Sequence, residues 1–146
     1  MGEFDFVPKI MEELDIEIKF KNVAVQPGKP TTFGIKDNKF IFGLPGNPVS
    51  AFFQFQTLVV PLINKFMGNY VHPKIIKLPL GHNFKRKKGE RLSFIPVSIS
   101  EYSEVFTYEY HGSAHINALP GADAIAEIPI GVTDLNKGDF VNVRLF

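Results

Sequence analysis

Val7, Ile10, Met11 and Leu14 recur at the i, i+3, i+4, i+7 spacing of a helix lying on a core, and Pro8 falls in its tolerant first turn. Asp5 is placed to cap this helix, which Leu14-Asp15 ends. Ile16, Ile18 and Phe20 then alternate with Glu17, Lys19 and Lys21, the pattern of a half-exposed strand, and Val23-Ala24-Val25 continues it as a covered one. Gln26-Pro27-Gly28-Lys29-Pro30 forces a turn, because two prolines cannot take part in a central ladder. Residues 32–35 and 39–42 read as a hairpin around Lys36-Asp37-Asn38. From 49 to about 67 the chain is apolar over most of a helical circumference, which predicts a helix that is buried or covered by another chain. Pro61 lacks the N–H that would bond the Thr57 carbonyl, so a bend is expected there, and Gly68 is a natural stop.

After Val71-His72-Pro73 the pattern changes to short strand-like runs at 75–80, 92–99, 105–110, 124–130 and 140–146, separated by glycine, charge or proline. This spacing predicts a small antiparallel barrel or sandwich. The expected architecture is therefore α/β plus all-β, with one unit over 1–70 and a β-barrel-like unit over 73–146. The first unit is too short for a full βαβ sheet and reads as the second half of an α/β domain.

Composition narrows the function classes. Sixteen Lys+Arg against fifteen Asp+Glu give a formal charge of +1, so no field of one sign argues for nucleic acid. The longest apolar stretch is interrupted by Gln54, Gln56, Thr57, Asn64 and Lys65, which argues against a membrane span. With no cysteine there is neither a disulfide framework nor a thiolate nucleophile. The first five residues lack the basic and apolar regions of a signal peptide, and a cytoplasmic address is expected. Fifteen phenylalanines and no tryptophan predict a core rich in Phe.

Candidate chemistry centres on Gly43-Leu44-Pro45-Gly46-Asn47-Pro48-Val49-Ser50, where a strand ends and the long helix begins. Asn47 is a natural N-cap with Pro48 at the first helical position, leaving the amides of Val49, Ser50 and Ala51 as a seat for an anion. Taken alone, the octapeptide reads more readily as a plain connector. Lys29 in its proline-locked turn likewise reads, by itself, as a solvated lysine. Lys85-Arg86-Lys87-Lys88 with Arg91 is the one dense charge cluster; a solvated loop ranks first, a cleft facing an anion second. His111 and His115 flank Gly112-Ser113-Ala114 without a third metal ligand nearby, and Ser113 lies outside any nucleophile-elbow pattern, so structural histidines fit better than metal or hydrolase chemistry.

Four stretches together resemble the C-terminal part of the molybdopterin molybdenumtransferases, the MoeA and gephyrin E-domain family: Gly2-Glu3-Phe4-Asp5-Phe6-Val7, Gln26-Pro27-Gly28-Lys29-Pro30, Phe42 through Ser50, and Gly112-Ser113 with the apolar segment to Pro129. The resemblance covers nearly the whole chain. It implies insertion of molybdenum from molybdate into adenylylated molybdopterin with release of AMP, assisted by Mg²⁺, in an elongated homodimer. The adenylyltransferase of the same pathway is a possible further partner. It also implies an active site in a cleft, with the second half of the molybdopterin-binding α/β domain and the β-rich C-terminal domain held by this chain.

Carried over by position, the resemblance implies Asp5 and Lys29 as catalytic residues, with Asp5 also the metal ligand. Asp5 as an N-cap and Asp5 as a ligand stand about equal. It implies Pro45, Gly46, Asn47, Pro48 and Ser113 as pocket residues. Asn22 and Gln26 stand where many members carry lysines facing the anionic substrate, and Pro96 where an arginine is common. Fewer cations imply a weaker grip on molybdate or phosphate. A second reading of the same resemblance is a non-catalytic scaffold or dimerisation module.

Overall fold

The computed structural model describes residues 6–69, 74–108 and 121–145. Asp5, residues 70–73, His111, Ser113 and His115 lie outside the described residues. Helix α1 (Val7–Glu13) opens the described chain, and the residue before it is Phe6, which has no capping oxygen. Its helical period is as expected. Met11 is buried, while Val7, Ile10 and Leu14 on the same stripe are exposed.

Strand β1 (Glu17–Phe20) pairs antiparallel with β3 (Thr32–Lys36), which pairs with β4 (Lys39–Gly43) in the expected hairpin. Asp37 and Asn38 have φ of 49° and 59°, the two positive values that a type I′ turn needs. Val23 and Ala24 do not continue β1. The Val23 N–H donates to the Lys29 carbonyl at 3.0 Å, which folds this segment back on the turn. The next strand, β2 (Val25–Gln26), joins a different sheet, where Val25 pairs in parallel with Leu92.

The long helix is α2 (Pro48–Gln54), a π-helical turn (Phe55–Val59) and α3 (Val60–Phe66). Pro61 does perturb the ladder, and the adjustment lies just upstream of it. The Val60 N–H reaches back five residues to the Phe55 carbonyl, and the Thr57 hydroxyl donates to Phe53 O at 2.7 Å. Gly68 follows with φ 73°, a left-handed stop. Burial along this helix is uneven. Val49, Ser50, Phe53 and Gln54 are buried, whereas Phe66 and Met67 are 64% and 67% exposed. No helix among the described residues is long and apolar enough to cross a membrane.

The strands β5 (Ile75–Pro79), β7 (Leu92–Ile99), β8 (Val105–Thr107), β9 (Ala124–Ile128) and β11 (Phe140–Leu145) form a sheet with β2, in the order β2-β7-β9-β11-β5 with β8 also beside β7. β6 (Phe84–Lys85) and β10 (Asp134–Leu135) make a separate ribbon. The chain just after β5 touches the opposite edge through one bridge, Leu80 to Val105, and the Gly81 N–H donates to Val105 O at 2.8 Å. Period two divides the sheet's faces. Ala124, Ala126 and Ile128 enter a core with Leu80, Val97, Val105, Val141 and Val143, while Ile125 and Phe94 face the other way and meet Val49 and Phe53 of α2. Helix α2 thus seals the outer face of the C-terminal sheet, and the two halves of the chain share a core.

Candidate functional site

The site is built on the turn at Lys29. Gly28 has φ +114°, and a Cβ there would lie 2.2 Å from Gln54 Nε2. The close approach is a contact with purpose: buried Gln54, at the end of α2, donates through Nε2 to the Pro27 carbonyl at 3.1 Å. Buried Thr31 donates through its hydroxyl to Gly28 O at 2.8 Å, and the Lys29 carbonyl accepts from Val23 N at 3.0 Å and Thr31 N at 2.9 Å. The carbonyls of Pro27, Gly28 and Lys29 thus each have a partner. The Lys29 ammonium has none among the described residues, so a mobile charge rests on an immobile base.

Two cavities adjoin the turn. The larger, about 720 Å³, is floored by Phe53, Phe94, Ile95 and Pro96, edged by Gln26 and Pro27, and walled by Lys85, Lys87, Lys88 and Arg91. His82, Thr107 and Tyr108 stand at one side of it. His82 Nε2 lies 2.9 Å from Thr107 Oγ1, and its ring stacks on Phe106 with centroids 5.8 Å apart. The smaller cavity, about 460 Å³, is lined by Asn22, Val23, Ala24, Lys29, Glu90 and Arg91. Arg91 borders both.

The basic cluster is the solvated loop that ranked first from sequence at Lys85, Lys87 and Lys88, which are exposed, but not at Arg86. Arg86 turns inward and cross-links the loop. Nε donates to Val132 O at 2.6 Å, Nη1 to Arg91 O at 2.9 Å and to Ser93 Oγ, and Nη2 to Pro129 O at 2.6 Å. Burial pushes the Arg86 guanidinium below its ordinary value. Lys85 pairs with Asp134 at 3.2 Å, and Asp134 is held below the usual carboxylate range first by the Thr133 hydroxyl and then by Lys85. Lys87, Lys88 and Arg91 form no ion pair among the described residues and face cavity space. A strand period contained the signal: Phe84 packs on the core, so Arg86, two residues on, points inward as well.

The octapeptide behaves differently from its expected role as an anion seat. Asn47 caps α2 as predicted, with Oδ1 accepting from Ser50 N at 3.1 Å. That bond, and the 2.9 Å bond from Ala51 N to Asn47 O, occupy two of the three amides read as anion donors. Pro45 is buried, Gly46 and Pro48 are exposed, and none of Pro45, Gly46, Asn47 and Pro48 lines either cavity. Their demonstrable work is to start the helix whose far end, Gln54, holds the Lys29 turn. Of the expected site residues, then, Lys29 is in a cavity and Pro45 to Pro48 are not, while Asp5 and Ser113 lie outside the described residues. Asn22, Gln26 and Pro96 all border the cavities. Arg86, Lys87, Lys88 and Arg91 line the larger cavity, the cleft-facing placement that ranked second from sequence.

The described residues do not compose a Mg²⁺ site. No group of three His, Cys, Asp or Glu side chains gathers among them, and the two cavities offer one carboxylate, Glu90, beside several cations.

Comparison with known proteins places this geometry in a lineage. Residues 1–65 match the family described as "Probable molybdopterin binding domain", and residues 77–146 match the MoeA C-terminal region, domain IV. A molybdopterin molybdenumtransferase of Staphylococcus epidermidis is 32% identical over 148 residues, an alignment covering 99% of this chain and 35% of that relative. The molybdenum cofactor synthesis protein cinnamon of Drosophila melanogaster is 33% identical over 141 residues, covering 92% of this chain and 23% of its own length. The crystal structure of the molybdopterin biosynthesis MoeA protein from Pyrococcus horikosii superposes with a TM-score of 0.82 at 35% identity, over 97% of this chain and 34% of that one. The chain thus spans about a third of the length of the bacterial relatives it matches. With both family regions matched in order and the fold shared throughout, the chain belongs to the molybdopterin molybdenumtransferase (MoeA) family.

Proposed function

We propose that this chain, as part of a whole protein of the length its relatives have, serves molybdenum cofactor biosynthesis by inserting molybdenum from molybdate into adenylylated molybdopterin, with release of AMP. The observation that carries the reading is the pair of cavities meeting at the Lys29 turn, both bordered by cations without an ion-pair partner among the described residues. Lys29 and Arg91 suit phosphate and oxometalate oxygens, which need charge-assisted donors. His82, Thr107 and Tyr108 add polar groups at the rim. With reactants of this kind the protein's contribution is positioning and electrostatic stabilisation, and the rigid backbone under Lys29 is what such a task requires.

Asp5 and Ser113 enter this proposal on the resemblance alone, and so do Pro45, Gly46, Asn47 and Pro48 as shapers of the pocket. So do the division into units 1–70 and 73–146, the homodimer, the adenylyltransferase partner and the cytoplasmic address. Mg²⁺, with Asp5 as its ligand, likewise enters on the resemblance, and no metal-binding group gathers among the described residues. The test is molybdenum insertion by the whole protein with molybdate and adenylylated molybdopterin. Activity that falls at least about 100-fold in Lys29→Ala is expected, a loss of about 2.7 kcal/mol of transition-state stabilisation. A whole protein that inserts no molybdenum refutes the reading.

One observation favours the non-catalytic alternative. The α3 end of the long helix exposes Ile63, Phe66 and Met67, an apolar surface of the kind that another protein element covers. A whole protein that sediments as a monomer at high concentration counts against the scaffold.

A further inference from the structure

The chain after β5 meets β8 through the Leu80–Val105 bridge and a 2.8 Å bond from Gly81 N to Val105 O, and this meeting puts His82 beside Thr107. A Cβ on Gly81 would lie 2.2 Å from the Phe106 ring, so glycine leaves room for that ring over the backbone. The His82 imidazole stacks on the same ring, with centroids 5.8 Å and planes 24° apart, and its Nε2 lies 2.9 Å from Thr107 Oγ1. One stack and one hydrogen bond thus fix the imidazole, while Nδ1 has no partner among the described residues. In the lining of the same larger cavity, Tyr108 donates its hydroxyl proton to Gly121 O and keeps an oxygen that accepts. Asn83 accepts from Lys137 N at 2.8 Å through Oδ1 and keeps an amide that donates. A donor, an acceptor and a ring nitrogen therefore stand together without a permanent charge, and no carboxylate lines this cavity among the described residues.

We propose that His82 is a specificity-determining residue of the larger cavity, where with Asn83 and Tyr108 it hydrogen-bonds an uncharged nitrogen heterocycle, and that Thr107 is the positioning residue that orients its ring. A nitrogen heterocycle with an amino or keto group carries donors and acceptors along one edge, and the three side chains supply the matching set. Any charged substituent of the ligand is left to the cations of the same cavity. The Thr107 hydroxyl either donates to Nε2 or accepts from it, and its orientation decides whether the neutral ring offers Nδ1 as a donor or as an acceptor. A site of this kind discriminates, because an analogue without the heterocycle leaves its polar groups unpaired. The inference rests on the functional reading above only for the source of the heterocycle. Adenine and the pterin ring both have this chemistry, and the probes below separate them.

The experiment measures binding of AMP, pterin-6-carboxylate and ribose 5-phosphate to the 146-residue chain by calorimetry, with nitrogen NMR of the His82 ring alongside. Ribose 5-phosphate has the anion without the heterocycle, so AMP or pterin-6-carboxylate is expected to bind at least about tenfold more tightly. Whichever of the two binds more tightly names the source of the ring. In the parent chain that probe is expected to move the His82 Nδ1 resonance more than the Nε2 resonance. His82→Phe keeps a ring to stack on Phe106 and removes both nitrogens. It is expected to weaken the tighter heterocycle probe at least about tenfold and to leave ribose 5-phosphate within about twofold of the parent. His82→Gln is expected to recover part of the loss. Thr107→Val is expected to weaken the same probe by a smaller factor and to shift the His82 ring resonances in the free chain, a signature that mere destabilisation does not produce. No binding of any probe to the parent chain, no preference for a heterocycle, parental binding in His82→Phe, or an equal loss of all three probes each overturns the proposal. A heterocycle preference lost in His82→Phe, from a whole protein that inserts no molybdenum, keeps the site and removes the functional reading. Molybdenum insertion by the whole protein with an unchanged KM for adenylylated molybdopterin in His82→Phe removes the site and leaves that reading standing.

Discussion

Gln54 Nε2 donates to the Pro27 carbonyl across 3.1 Å, tying the end of α2 to a turn 27 residues earlier. Gln54 is 1% exposed, so this amide has no water to exchange for its protein partner. Gln54→Ala leaves the Pro27 carbonyl unsatisfied and is expected to cost about 1–3 kcal/mol. Gly28→Ala forces a Cβ into the same amide at a φ of +114° and is expected to destabilise too. In the double variant the steric part disappears, so its loss should fall short of the sum. Urea unfolding with unchanged m-values checks all three.

Two phenylalanines of the long helix should respond oppositely. Phe53 is fully buried against Phe94, with ring centroids 6.3 Å apart, at the junction of helix and C-terminal sheet. Phe53→Ala is expected to cost about 3–5 kcal/mol. Phe66 is 64% exposed and meets Phe40 edge to face. Phe66→Ala should stay within about 1 kcal/mol, the scale of an aromatic pair contact. Thermal or denaturant unfolding of the two variants side by side decides it.

Arg144 and Glu127 form a largely buried ion pair across β11 and β9, with Nη2 to Oε1 at 2.9 Å. Removing one partner strands a charge in the interior. Glu127→Gln or Arg144→Met is expected to cost about 1.5–3 kcal/mol. Replacing both with apolar residues of similar volume should restore much of that loss. A double-mutant cycle in stability provides the measurement.

Asp134 offers a test of pH dependence. Its carboxyl lies below the usual range because the Thr133 hydroxyl and Lys85 favour the charged form. A depressed folded-state value means that its contribution to stability is present above the unfolded carboxylate's pKa and is lost as pH falls through the folded one. Carbon-detected NMR titration should find Asp134 among the more acidic aspartates. Thr133→Val should move it upward, and Asp134→Asn should flatten the acid limb of the stability curve.

Local features were legible in the chain from the start. The helical stripe of α1, the hairpin turning at Asp37-Asn38, the Asn47 cap and the Gly68 stop follow from periods and backbone preferences that act over a few residues. So did the family, because a turn and a helix entry with fixed prolines and glycines leave a signature in sequence order. Only the tertiary structure decided which of those features meet. Residues 85–91 read as a charged loop because linear proximity makes four basic side chains look solvated, whereas the sheet turns Arg86 inward and brings Arg91 beside Lys29, 62 positions away. In the same way the sequence left open whether the octapeptide was a connector or an anion seat and whether the helix was buried or covered by another chain, and the structure shows a cap that takes two of the three amides and a C-terminal sheet that covers the helix's first two turns. Short-range sterics and periodicity are properties of a stretch of chain. Which charges share a cavity depends on how distant strands pair, and that is settled by burial of faces that no single stretch can specify.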